Sequence, residues 1–92
     1  MDLKELRGKI DEIDDKLICL FQQRMNISAD IALYKFKNNI QVYDPAREQK
    51  KLCDLSSKVN KEHEAYVSEL FSLLFRLSRT EQERILNFEE NI

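Results

Sequence analysis

Six polar side chains fall on or beside helical stripes that should be dry: Arg7, Arg24, Lys35, Glu48, Ser78 and Gln82. Arg24 is the sharpest case. It interrupts a seam formed by Leu3, Leu6, Ile10, Ile13, Leu17, Leu20, Ile27, Ile31 and Tyr34, spaced in alternating steps of three and four. A guanidinium stays charged at ordinary pH, so its burial is costly unless an anion meets it. Lys35 lies eleven residues on, about three turns, on nearly the same face. Ser78 and Gln82 continue the stripe of Val67, Phe71 and Leu74 and precede Ile85; buried polar groups of this kind need partners. Glu48 shares a stripe with Leu52, Leu55 and Val59. The chemistry this set can do is to hold an acidic partner, either a side chain or a ligand. It is not nucleophilic: Ser78 has no His near it in the pattern, and His63 is expected in solvent.

Each residue also has an ordinary reading. Arg24 pairs with Glu48 in a core; Ser78 bonds back to its own helix; Gln82 sits at a wet edge. Glu48 favours a positive helix terminus, while Arg7 and Lys35 lay their stems over apolar surface. The set is harder to dismiss than its members.

The elements that position these residues are three helices. The first is predicted from Leu3 to Lys37, with Gly8 its only weak point. Asn38–Tyr43 loses the period and reads as a loop. Asp44 caps a second helix that Pro45 opens, and it fades between Ser56 and Lys61. The third is predicted from Glu62 to Asn87, with Leu70 and Phe75 widening its apolar face and Glu89–Ile92 fraying. A 35-residue helix is roughly 50 Å long, whereas a compact domain of this size has a radius of gyration of about 12 Å. Two further helices in the same chain do not cover a seam of that length, and a second copy does. An interlocked all-α homodimer is therefore expected, with an extended coiled-coil hairpin as the competing arrangement.

Composition narrows the classes. The 92 residues make one domain, 1–92, with one Gly, one Pro and 35% charged residues, which suits helices. A net charge of −2 argues against a broad nucleic-acid surface. No long apolar run suggests a membrane span or a signal peptide, so a cytoplasmic protein is expected. Cys19 and Cys53 are too few for a disulfide framework or a zinc site and are expected as packed thiols in a reducing compartment.

The ordered combination resembles a known family, the all-helical chorismate mutases. Leu6-Arg7, Ile10-Asp11 and Ile13-Asp14 are similar to that family's opening; Arg24-Met25, Ala32 and Tyr34-Lys35 fit the rest of its first helix. Val42-Tyr43-Asp44-Pro45-Ala46-Arg47-Glu48 resembles its loop and second helix, and Ser78 and Gln82 its third-helix polar pair. The resemblance implies rearrangement of chorismate to prephenate in aromatic amino-acid biosynthesis, without metal or cofactor. It implies that Arg24 grips one carboxylate and that Arg7 reaches into the partner's site. Lys35 and Gln82 would donate to the ether oxygen, and Glu48 would accept from the ring hydroxyl. The backbone near Asp44, with Arg47 and Ser78, would complete the lining. An isochorismate pyruvate-lyase of the same fold and a non-catalytic dimerisation module remain as alternatives. No dehydrogenase, dehydratase or effector segment is read in the chain.

Overall fold

The computed structural model describes residues 1–90. Among these the chain is all-helical, in the order α1 (Leu3–Lys37), α2 (Pro45–Ser56), a 3₁₀ turn at Lys61–His63 and α3 (Glu64–Glu90).

The helix ends follow local chemistry. The Asp2 carboxylate accepts from the Glu5 amide at 2.9 Å and caps α1. At its other end Asn39 takes φ 55°, Ile40 N donates to Lys35 O at 2.9 Å and Asn39 N to Phe36 O at 3.4 Å. This is a Schellman stop with Asn in the left-handed position. Asp44 caps α2 by accepting from Arg47 N at 3.1 Å, and Pro45 occupies the first turn, as the sequence predicts. The second helix stops at Ser56, so Val59 lies in the following turn rather than on the helix's stripe. The third begins at Glu64, two residues later than expected, because His63 N bonds Asn60 O at 2.9 Å and tightens the entry. It runs through Glu90, past Asn87, so Glu89 and Glu90 are helical where fraying was expected. The rest of that expectation, 91–92, lies outside the described residues.

α3 packs against both α1 and α2. On α1 it meets a face of small and polar residues: Ser28 and Ala32 are buried there, with Phe75, Ser78 and Gln82 buried on α3. The apolar seam of the sequence is not this face. Ile27, Ile31 and Tyr34 remain 57%, 41% and 64% exposed, and every residue from 1 to 23 is exposed. The reason is steric. Ser28 and Ala32 let α3 approach closely on the Arg24–Ser28–Ala32 line, which leaves the bulky seam to one side. Among the described residues, Ala32 and Phe75 are the buried apolar ones. The described chain is accordingly a thin slab, 55 × 28 × 14 Å, with a radius of gyration of 16.7 Å. An extended hairpin would have zipped α1 along its length; its uncovered first half excludes that arrangement within one chain.

Cys19 and Cys53 are both exposed, contrary to the packed thiols expected. Cys19 falls in the uncovered half of α1, and Cys53 is exposed on α2.

Candidate functional site

A cavity of about 350 Å³ opens between the C-terminal half of α1, the loop that follows it, the first turns of α2 and the middle of α3. It gathers seven of the eight residues singled out above: Arg24, Lys35, Asp44, Arg47, Glu48, Ser78 and Gln82. Arg7 is not among them; it stands on the exposed first half of α1. Ile27, Ile31, Val42 and Phe75 supply apolar wall.

Arg24 does not pair with Glu48. Its Nη1 donates to Ser78 Oγ across the α1–α3 interface, and its guanidinium lies 5.6 Å from the centroid of the Phe75 ring. Burial pushes its pKa down, because the charged form has lost water, and among the described residues no carboxylate pairs with it. Ser28 Oγ also donates to Ser78 Oγ, at 3.1 Å. Ser78 thus turns across to α1 instead of bonding back along its own helix. With two bonds accepted, its own hydrogen is left to donate.

Glu48 is held by Arg79, whose Nη1 reaches both carboxylate oxygens. Arg79 also stacks over Tyr43, 4.8 Å from the ring centroid. Its pKa is raised, first by the hydrogen bond to Glu48 and then by the nearby negative charge, which together outweigh desolvation. Lys35 is half-buried, and its Nζ donates to Val42 O at 2.7 Å, tying the loop to α1. Gln82 is 7% exposed and has a buried Oε1 with no partner, so it does not lie at a wet edge.

Five cationic side chains (Arg24, Lys35, Arg47, Lys51 and Arg79) line the cavity against two carboxylates. One of those, Asp44, is committed to capping α2 and the other, Glu48, to Arg79. The cavity is therefore cationic in a chain whose net charge is −2. Its apolar walls suit a ring, and its donors suit carboxylates and ether or hydroxyl oxygens.

Three lining residues escaped the sequence reading: Ser28, Lys51 and Arg79. Each is one helical turn from a residue that was read. Ser28 follows Arg24 by four, Lys51 follows Glu48 by three, and Arg79 precedes Gln82 by three. Ser28 was hidden by the choice of the bulky seam as the inner face. Nothing local distinguishes Arg79 from a surface arginine, since its partner lies 31 residues away.

The sequence matches the family described as chorismate mutase type II over residues 6–83. A chorismate mutase of Methanocaldococcus jannaschii is 35% identical over 92 residues, covering 97% of this chain and 92% of that protein. A bifunctional chorismate mutase/prephenate dehydratase of Buchnera aphidicola subsp. Acyrthosiphon pisum is 36% identical over 83 residues. That alignment takes in 87% of this chain but 21% of the longer protein. No solved structure matches the chain significantly. By the extent of the family match and the near full-length likeness to the archaeal protein, the chain belongs to the chorismate mutase type II family.

Proposed function

We propose that the chain catalyses the concerted rearrangement of chorismate to prephenate, and that the cationic cavity is where it does so. One observation carries the reading: a half-buried arginine that pairs with no carboxylate among the described residues and a buried amide side chain, Gln82, line the same cavity. A dianionic ether supplies the anion that the arginine lacks and an acceptor for the amide's N–H groups. The likeness to proteins named as mutases favours rearrangement over loss of pyruvate.

In this reading Arg24 grips one carboxylate of the substrate within its own chain. Lys35 and Gln82 donate to the ether oxygen, with Lys35 also near a carboxylate. Glu48 accepts from the ring hydroxyl, while Arg47, Ser78 and the backbone at Asp44 line the ring and its carboxylate. Fixed cations hold the flexible dianion in the folded pose from which it reacts, a positioning effect. As the carbon–oxygen bond breaks, negative charge grows on the ether oxygen, and donors aimed there favour the transition state over the substrate. A homodimer supplies the missing piece, with Arg7 entering the partner's site from the uncovered half of α1. The family's biosynthetic chemistry suits the cytoplasm, and among the described residues no helix is long and apolar enough to cross a membrane.

The test is direct. Purified protein dialysed against chelator is incubated with chorismate and the product identified. Prephenate is expected; pyruvate, or no consumption above background, would sink the proposal. Arg24→Ala and Lys35→Ala should each lose at least about 100-fold in kcat/KM while keeping their helicity.

A further inference from the structure

Arg79 is the one lining cation that joins three separate segments at once. It sits on α3, its Nη1 holds both oxygens of Glu48 on α2, and its guanidinium covers the Tyr43 ring in the loop before α2. Its side chain is 28% exposed and that of Glu48 24%, so the pair is partly withdrawn from water but still reaches the cavity. A carboxylate on the first turn of a short helix would otherwise swing among its rotamers. A planar guanidinium stacked on an aromatic ring is a fixed donor, and a carboxylate docked on it is fixed in turn. A carboxylate has about four acceptor sites, so Arg79 leaves Glu48 able to accept from a hydroxyl as well.

We propose that Arg79 is a positioning residue: stacked on Tyr43, it holds the Glu48 carboxylate as a fixed acceptor for the ring hydroxyl of the substrate. The proposal rests on the reading of the cavity given above, in which Glu48 meets that hydroxyl. Arg79 acts through Glu48 and need not touch the substrate itself. Its effect is then confined to ligands that carry the hydroxyl, which distinguishes it from a general contribution to folding or to the positive field. Arg24, Lys35, Arg47 and Lys51 line the same cavity and keep that field when Arg79 is replaced.

The experiment compares wild type with Arg79→Met, Arg79→Lys, Glu48→Gln and the Arg79→Met/Glu48→Gln double variant, with helicity checked by circular dichroism. Two readouts are used. One is kcat/KM for chorismate and for its analogue lacking the ring hydroxyl. The other is calorimetric binding of a bicyclic ether diacid with and without the corresponding hydroxyl. Wild type should prefer the hydroxylated member of each pair by at least about tenfold, the scale of a hydrogen bond to a charged acceptor. Arg79→Met should lose most of that preference while handling the dehydroxylated ligands nearly as wild type does. In the Glu48→Gln background, Arg79→Met should change the preference no further. Should Arg79→Met fail to fold, Arg79→Lys carries the test, because it keeps the charge but not the planar stack; its preference should fall part of the way. An undiminished preference in Arg79→Met, or equal losses on both ligands of a pair, overturns the proposal. So does a full additional loss in the double variant. A wild type that binds with the preference but does not turn over chorismate refutes the mutase reading and leaves the role of Arg79 standing.

Discussion

Arg24 carries a desolvation cost that its neighbours offset only in part. Its burial disfavours the charged form, which is the form present at any working pH, and its hydrogen-bond partner Ser78 is neutral. A neutral hydroxyl offsets only part of that penalty, whereas an entering carboxylate offsets far more. Gln82 carries the complementary lesson. An amide donates at any pH, while a carboxyl donates only when protonated. In Gln82→Glu the shape of the site should persist, with Lys35 favouring the ionised carboxylate and burial opposing it. Activity of the variant should fall as pH rises through the new group's pKa, because the donor becomes an anion beside developing negative charge. Wild type should lose nothing as pH rises from about 5 to 8. An amide does not titrate there, and a guanidinium keeps its charge at any ordinary pH. The check is kcat/KM against pH for both proteins with folding followed at each point; parallel profiles would remove Gln82 from the ether-oxygen role.

At the scale of elements, α1 is held by its ends and by α3 on its second half, and its first half has only its own hydrogen bonds. Gly8 lies in that half, in helical conformation, and a Cβ added there meets nothing within 4 Å. Gly8→Ala should therefore stabilise the protein by about 0.5–1 kcal/mol, read as a higher denaturant midpoint with an unchanged slope. A lower midpoint would mean that another surface packs against Gly8. The helices themselves were legible in the sequence for clear reasons. Asp44-Pro45 is a start signal that depends on neighbours only, and the loss of period at Asn38 is a local stop. The inner face of α1 was not legible, because bulk and burial diverge. Ile27 and Ile31 look like core by type, yet Ser28 and Ala32 are what α3 rests on. The polar set was legible because Arg24, Ser78 and Gln82 break stripes, and a break is visible without knowing its partner. The pairing of Glu48 with Arg79 was not, because a contact between α2 and α3 leaves no periodic trace.

At the scale of the molecule, the described chain has an exposed apolar seam and a site from which Arg7 is absent. Leu3, Leu6, Ile10, Ile13, Leu17 and Leu20 are each 47–59% exposed, in register along one helix. A groove between Leu17–Phe21 and Leu70–Leu74 continues that seam up to Arg24, at the edge of the cationic cavity. An apolar surface of this extent asks for a cover, and a second α1, as proposed above, would be a cover that also brings an arginine. If each site takes Lys35 from one chain and Arg7 from the other, two crippled chains should repair one another. Arg7→Ala and Lys35→Ala homodimers should both be nearly inactive. Unfolded together and refolded, they should form heterodimers in which one site carries both defects and the other carries neither. Activity should then return in proportion to the heterodimer fraction, with one working site in each. The measurement is activity of the refolded mixture beside native mass spectrometry of its assembly state. Verified heterodimers without recovery would place Arg7 in its own chain's site or in none. A monomer at working concentrations would remove the shared site altogether and leave the seam of α1 without an explanation.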